Sequence, residues 1–377
     1  MIQSPGLLTT ILAFVLIVGP LVFVHELGHY LAGRLFGVKA EAFSIGFGRE
    51  IVGVTDRRGT RWKLGWLPLG GYVRFAGDMN PASQPDAAWL ALPPAERNRT
   101  FQAKPVWQRA ISVAAGPIVN FLVAVAILGG FAVAFGDARN PPIVQALQPG
   151  SPAARVGLQP GDRVTALGGR SVDSFDEMVR YVRLRAGETI RIDFVRGDQQ
   201  QARAITIGTE RERDRFGNEF AMGRLGIAGG RPVLVPVRWW QAPLAGVRQT
   251  AEVTRFIIDT LGQFITGRRS IKEMSGPIGT ARVAGQQLSL GIIDFVGLAA
   301  LISINLGFIN LLPVPMLDGG HLLFYAVEAV RRRPLEPRVQ EWAFRGGLAA
   351  LLALMVMVTV NDLGAVGLWK NLAGLIG

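Results

Sequence analysis

The sequence contains no cysteine, which excludes disulfide bonds and metal sites built on thiolates. Any zinc site in this chain must therefore use nitrogen and oxygen ligands. Histidine is also scarce, with three residues in 377, and two of them lie four positions apart in the segment HELGH at residues 25–29. The scarce metal-binding side chains are thus concentrated in one short segment.

Charge is absent from residues 7–24, the eighteen residues that lead into HELGH. On a helix, His25 and His29 share one face with Glu26 beside them, which is the HExxH arrangement of zinc peptidases. Ionisable groups in hydrocarbon cost roughly 2.5–3.5 kcal/mol at the centre of a helix, so they are functional by default. The alternative is a chance pattern that forms a satisfied polar cluster at a helix end.

The composition predicts a polytopic α-helical membrane protein with four transmembrane helices. The chain is 49% hydrophobic with positive mean hydropathy, and uncharged stretches of spanning or nearly spanning length occur four times. We expect the first span to remain attached rather than to be a cleaved signal peptide, because it has no basic start and is long. The predicted spans cover about residues 7–36, 110–135, 295–321 and 347–360.

The net charge of +12 raises nucleic-acid binding as a hypothesis, but the positions of the basic residues argue against it. Arginine and lysine concentrate in residues 37–105 and again after the third span, whereas the first ten residues have none. By the positive-inside rule both basic loops are cytoplasmic and the N-terminus is outside. The predicted partner is thus the lipid bilayer and not nucleic acid, with HELGH toward the cytoplasmic side of an inner membrane.

Two segments between the spans show other patterns. Residues 40–75 predict a membrane-associated β-hairpin on the cytoplasmic side, either an ordinary hairpin or an edge strand that pairs with extended substrate. Residues 78–100 suggest a mobile loop that could gate the site. Residues 231–290 predict an amphipathic helix on the outer membrane surface, anchored by Trp239 and Trp240, or else packed on the neighbouring soluble module.

That module, residues 137–230, reads as an α/β domain inserted on the extracytoplasmic side. Predicted strands at 143–147, 190–194 and 204–207 alternate with helices after residue 151 and at 175–184. The turn Gly-Leu-Gln-Pro-Gly-Asp at 157–162 makes the order resemble a PDZ domain. Such a fold binds extended peptide by strand addition, and the alternative role is a rigid spacer or size filter.

The third span is broken by two prolines and two glycines between Asn310 and His321. Backbone of this kind is tolerated at membrane depth only beside neighbours or a polar cavity. Helix lengths place Asp318 at the depth of His25, which makes it the best third zinc ligand. Asn310 is the candidate for stabilising an oxyanion or capping the break, Asn120 for packing or lining the site, and His321 has a weaker claim.

These residues suggest hydrolysis by a Zn²⁺ ion held by His25, His29 and Asp318. Zinc brings the pKa of its bound water toward about 7. Glu26 would then act as general base and pass the proton to the leaving amine. The alternatives are a catalytically inactive membrane adaptor that uses its PDZ-like module, and a zinc transporter, for which Glu26 has no obvious use.

Several blocks together resemble the site-2 protease family, in that family's order: residues 25–29, 68–73, 115–120, 275–279 and 310–320. The resemblance implies zinc held by His25, His29 and Asp318, with Glu26 as the base. It also implies cleavage of single-span membrane proteins, such as an anti-sigma factor already trimmed outside or a remnant signal peptide. Only one PDZ-like module is evident, where some family members have tandem modules.

We expect a monomer with seven parts: the first span (1–36), hairpin and loop (37–105), second span (106–136), PDZ-like domain (137–230), amphipathic helix region (231–290), third segment (291–330), and cytoplasmic loop with fourth span (331–377).

Overall fold

The computed structural model describes residues 6–77, 92–213, 219–230, 233–266, 276–333 and 335–365. It divides into two compact units. We name Met1–Gly129 with Gly246–Gly377 the helical unit, and Gly130–Ala245 the inserted unit. Trp369 and Lys370, which are typical of an interfacial end to the last span, lie outside the described residues, as does most of the predicted loop at 78–100.

The described α-helices are α1 Leu7–Leu35, α2 Pro94–Arg97, α3 Val106–Phe135, α4 Pro152–Arg155, α5 Phe175–Arg183, α6 Ala242–Ile265, α7 Pro277–Leu290, α8 Ile292–Asn310, α9 Asp318–Arg331 and α10 Pro337–Ala365. The strands are β1 Ala40–Thr55, β2 Arg61–Phe75, β3 Asp137–Arg139, β4 Ala146–Leu147, β5 Arg163–Leu167, β6 Arg170–Ser171, β7 Thr189–Arg196, β8 Gln199–Thr206, β9 Gly208–Arg213, β10 Glu219–Arg224, β11 Ile227–Ala228 and β12 Val233–Val235.

Within the described ranges, four helices are long and apolar enough to cross a membrane: α1, α3, α8 and Arg338–Gly364 of α10. Their number agrees with the prediction, but two of the boundaries differ. The last helix is longer than predicted because it continues through charged residues, where Arg345 donates to Glu341 one turn earlier at 2.6 Å. The third span ends at Asn310, and a separate helix begins at Asp318.

Helix α7 was not predicted from the sequence. Pro277 opens it, and it ends at Gly291, whose φ of 145° breaks the helical geometry. Its Ala284 is fully buried and belongs to a cluster with Ala13 and Ile17 of α1 and Phe295 of α8. Residues 277–290 therefore contribute to the core of the helical unit, because small side chains allow the close packing that α7 makes with α1.

The predicted hairpin forms, with strands of 16 and 15 residues that are longer than expected. Asp56 builds the turn, since its carboxylate accepts the backbone N–H groups of Arg58 and Thr60 at 2.8 and 2.9 Å. Bulges bend both strands so that residues 42–45 pair with 61–64 on one side and 71–74 on the other. The two long strands thus act as four short ones, and residues 71–74 form one outer edge.

An aromatic cluster packs this hairpin on the end of α1. Phe43 stacks on Trp62 with ring centroids 4.3 Å apart, and Tyr30 of α1 contacts both rings edge-on. Phe75 and Phe101 stack nearby, while Tyr325 of α9 joins the same buried cluster. Burial of several aromatic side chains fixes the hairpin beside the second half of α1.

The inserted unit contains a four-stranded antiparallel sheet in the order β6-β5-β7-β8. Alternate residues of these strands point to one face, where Val164, Ile192, Phe194 and Ile205 are buried. Helix α5 covers that face with Met178 and Val182. Ser174 caps it by accepting the Glu177 N–H at 3.2 Å.

The helices predicted after residue 151 and at 175–184 form as α4 and α5, and the strands predicted at 190–194 and 204–207 correspond to β7 and β8. The strand predicted at 143–147 is shorter, since only β4 and an isolated bridge at Ile143 form there. In the last part of the predicted domain, β9 pairs with β10 and β11 pairs with β4. Asp162 anchors the predicted turn, accepting the Gln159 N–H at 2.8 Å and two Arg196 N–H groups at 2.7 Å each. Strand β12 pairs with β3, so the ends of the unit meet.

Helix α6 follows a 3₁₀ turn at Trp239–Gln241. Both tryptophans are exposed, as are Leu244, Phe256 and Ile265 along the helix. The predicted amphipathic helix therefore forms, and these apolar side chains are exposed. Its position on a membrane surface stays a prediction.

Candidate metal centre

The structure brings together the three side chains predicted to bind a metal. The Nε2 atoms of His25 and His29 lie 3.2 Å apart, and the Asp318 Oδ2 atom lies 3.2 and 3.5 Å from them. A tetrahedral zinc ion with bonds of about 2.0–2.1 Å needs ligand atoms about 3.3 Å apart. The three atoms therefore fit three corners of such a site, with the fourth corner left for water.

Asp318 reaches this position because it is the first residue of α9. Residues 311–317 form an irregular link in which Met316 adopts a left-handed φ of 84°. Gly319 and Gly320 let this link fold back, since a Cβ atom would lie 2.2 Å from the Leu312 oxygen at the first and 2.4 Å from the Val314 oxygen at the second. The carboxylate also gains from the positive end of the helix dipole.

Close contact between α1 and α3 positions the histidines. A Cβ at Gly28 would lie 2.6 Å from the Ala115 carbonyl oxygen, and a Cβ at Gly116 would lie 2.3 Å from Nε2 of His29. Glycine at both positions is what allows the helices to approach. The approach lets Nδ1 of His29 donate to the Ser112 carbonyl oxygen at 2.9 Å, which turns Nε2 toward the metal position.

A cavity of about 520 Å³ opens beside the three ligands. Glu26 is buried and lines it, and Val73 of β2 belongs to the same lining. Gly71 allows the hairpin to approach Glu26 closely, because a Cβ there would lie 2.9 Å from the Glu26 side chain. Residues 71–73 of the hairpin edge thus form part of the cavity wall.

Of the remaining candidate residues, two line the cavity and one contacts a ligand from outside it. Asn310 and His321 line the cavity, and the ring of His321 packs against Phe344 with centroids 5.0 Å apart. Asn120 lies behind His25, with its amide nitrogen 3.0 Å from Nδ1. Their chemical roles stay predictions.

Sequence reasoning missed the Ser112 carbonyl, because any residue could supply a backbone acceptor. It also did not pair Asn120 with His25. The spacing of Ser112, Gly116 and Asn120, four residues apart along α3, is the signal that places them on one face.

The family model described as Peptidase family M50 matches residues 13–354. A protein of Agrobacterium fabrum, provisionally named zinc metalloprotease Atu1380, is 42% identical over 369 residues, which cover 96% of this chain and 98% of that protein. Metalloprotease MmpA of Caulobacter vibrioides is 36% identical over 400 residues, covering 98% and 99% respectively.

Among solved structures, the PDZ domain of the SdrC-like protein of Listeria monocytogenes is 25% identical, covering 24% of this chain and 87% of that domain, with a TM-score of 0.20. The likeness is confined to about a quarter of the chain, and at this TM-score it supports no conclusion. The PDZ-like assignment of the inserted unit stays an interpretation of its sequence and strand order.

Proposed function

This chain belongs to peptidase family M50, the site-2 protease family of zinc metalloproteases, and on that premise we propose that it is an intramembrane endopeptidase for single-span membrane proteins. One observation supports this most directly. His25, His29 and the buried Glu26 lie on α1, a helix long and apolar enough to cross a membrane, and Asp318 at the start of α9 completes the ligand group. Soluble peptidases need no such setting.

In this proposal the Nε2 atoms of His25 and His29 and a carboxylate oxygen of Asp318 hold the zinc ion. When bound, zinc polarises the scissile carbonyl and makes water a nucleophile near neutral pH. Glu26 removes a proton from the attacking water and delivers it to the leaving amine. Glu26 lines the same cavity as the three ligands, which brings its carboxylate close to the metal position.

The substrate would enter as an extended strand. A transmembrane helix hides its carbonyl groups in internal hydrogen bonds, so it must unwind before water can attack. Residues 71–74 form an outer edge of the hairpin, and 71–73 border the cavity, where an edge strand can hydrogen-bond an extended backbone. Asn310, which also lines the cavity, would donate its amide N–H to the developing oxyanion.

Charge distribution supports an orientation for this proposal. With residues 37–105 and the Arg331–Arg333 cluster in the cytoplasm, the N-terminus lies outside and the site faces the cytoplasmic side of the bacterial inner membrane. The inserted unit then lies in the periplasm, where it would bind peptide or screen substrates by size. We propose a monomer acting on an anti-sigma factor or a remnant signal peptide.

The test compares cleavage of a tagged single-span substrate by wild type and Glu26→Gln. Because general acid–base catalysis contributes about 10²–10⁴-fold, we expect at least a hundredfold loss of rate with zinc still bound. Glu341→Gln makes the same change on α10, away from the cavity, and should cleave like wild type. Equal cleavage by wild type and Glu26→Gln would contradict the assignment, and no cleavage by wild type would favour an adaptor.

A further inference from the structure

The two histidines need partners on their second ring nitrogens. A histidine that binds a metal through Nε2 carries its proton on Nδ1, and that N–H is almost always donated to a carboxylate, a carbonyl or water. For His29 the partner is the main-chain oxygen of Ser112 at 2.9 Å. For His25 the group next to Nδ1 is the side-chain amide of Asn120, at 3.0 Å.

Asn120 is fully buried on α3, and its amide oxygen has no hydrogen-bond partner among the described residues. Its backbone is held in place, since Ser303 Oγ donates to the Asn120 carbonyl at 2.8 Å. A buried amide oxygen without a donor is destabilising, because it has lost its hydrogen bonds to water and gained none in the protein. The polar side chain thus occupies an apolar position that leucine could fill without this cost.

The protonation of a metal-bound histidine decides which amide atom faces it. With the amide nitrogen toward Nδ1, two N–H donors would confront each other once Nε2 binds a metal. Rotating the amide by half a turn exchanges its nitrogen and oxygen with almost no change of shape. The oxygen then accepts the Nδ1–H of His25 and gains the partner that it otherwise lacks.

We propose that Asn120 is a positioning residue of the metal centre, whose amide oxygen accepts the Nδ1–H of His25 and holds Nε2 toward the metal. This rests on the proposed function, because it requires His25 to be a ligand. Helix α3 then orients both histidines, one through the Ser112 backbone and the other through the Asn120 side chain.

The experiment measures zinc affinity of the purified full-length protein in detergent, by competition with a chromophoric chelator at one fixed pH. Asn120→Leu keeps the volume and removes both polar atoms, whereas Asn120→Asp keeps an acceptor and removes the donor. Ser303→Ala is the matched control, because it removes a hydrogen bond to the Asn120 backbone without touching the amide. His29→Ala checks the ligand set.

We expect Asn120→Leu to bind zinc about 10–100-fold more weakly, and Asn120→Asp and Ser303→Ala to bind close to wild type. The absorption of bound Co²⁺ should likewise be retained in Asn120→Asp and altered in Asn120→Leu. A merely structural asparagine predicts the reverse order, since a buried carboxylate is harder to accommodate than leucine. If Asn120→Leu does not fold, the zinc affinity of Asn120→Asp still tests the proposal. Affinity close to wild type supports the proposal, and a loss of affinity overturns it.

Wild-type affinity in Asn120→Leu, or equal weakening in both variants, would overturn the role of Asn120. If Asn120 fails this test but His29→Ala loses zinc, the ligand assignment and the proposed function still stand, without a role for Asn120. A wild-type protein that binds no zinc would overturn the ligand assignment and this inference together.

Discussion

Replacing Gly28 by alanine tests how closely α1 and α3 must approach to form the metal centre. The added Cβ would lie 2.6 Å from the Ala115 carbonyl oxygen, and ordinary contact begins at 3.4 Å. The helices must therefore separate locally by about 0.8 Å, and backbone cannot rotate away as a side chain can. Such overpacking costs typically about 1–3 kcal/mol.

The same shift acts on the adjacent His29. Its hydrogen bond to the Ser112 oxygen is 2.9 Å long, so a displacement of about 0.8 Å directed away from α3 would break it. Loss of such a partner costs about 10–100-fold in metal affinity, and a misplacement of about 1 Å can cost 10²-fold in rate. We expect Gly28→Ala to show both effects.

The assays are chelator competition for zinc and cleavage of a single-span substrate. Gly19→Ala is the matched control on the same helix, because nothing lies within 4 Å of a Cβ built there. It should keep wild-type affinity and activity. Identical behaviour of Gly28→Ala and Gly19→Ala would refute the close-approach argument.

Two further predictions concern stability. Asp362 of α10 accepts the N–H groups of Gly276 and Gly279 at 3.1 and 2.8 Å, so Asp362→Leu should lower the free energy of unfolding by about 1–3 kcal/mol; an unchanged thermal midpoint would contradict this. Burial on its own raises the pKa of Asp162. The hydrogen bonds from Arg196 and Gln159 and the charge of Arg196 lower the pKa by more than burial raises it, so the net pKa lies below the ordinary 3.8. A carboxylate whose pKa is lower in the folded than in the unfolded state stabilises the fold at pH values above the unfolded pKa, and this stabilisation is lost as the pH falls. Asp162→Asn should therefore destabilise the inserted unit by about 1.5–3 kcal/mol at neutral pH, and the difference from wild type should shrink below about pH 4. Hydrogen exchange of strand β5 in the full chain measures the stability difference between wild type and Asp162→Asn. A difference that does not change with pH would contradict the prediction.

The sequence predicted the spans because long uncharged runs have one stable form in a bilayer. It underestimated the hairpin because glycines and bulges interrupt the alternation from which strands are recognised. Residues 46 and 48, for example, are glycines with φ above 80° inside β1. It missed α7 because its packing depends on small residues such as Ala284, which leave no strong apolar stripe.

The ligand group could be predicted because two independent constraints agreed. Helical spacing placed His25 and His29 together, and helix length placed Asp318 at their depth. The partner groups could not be predicted in the same way. Whether Ser112 and Asn120 of α3 face the histidines depends on how two helices pack, which Gly28 and Gly116 decide through contacts across the interface.

The measurement that tests the central claim most directly is zinc X-ray absorption together with metal content, on wild type and Asp318→Ala. Wild type should contain one zinc per chain in a four-coordinate shell of two imidazole nitrogens and two oxygens, one of them from water. Asp318→Ala should lose a protein oxygen ligand and bind zinc far more weakly. Equal zinc content and an unchanged shell in Asp318→Ala, or a wild-type shell without imidazole, would contradict the account.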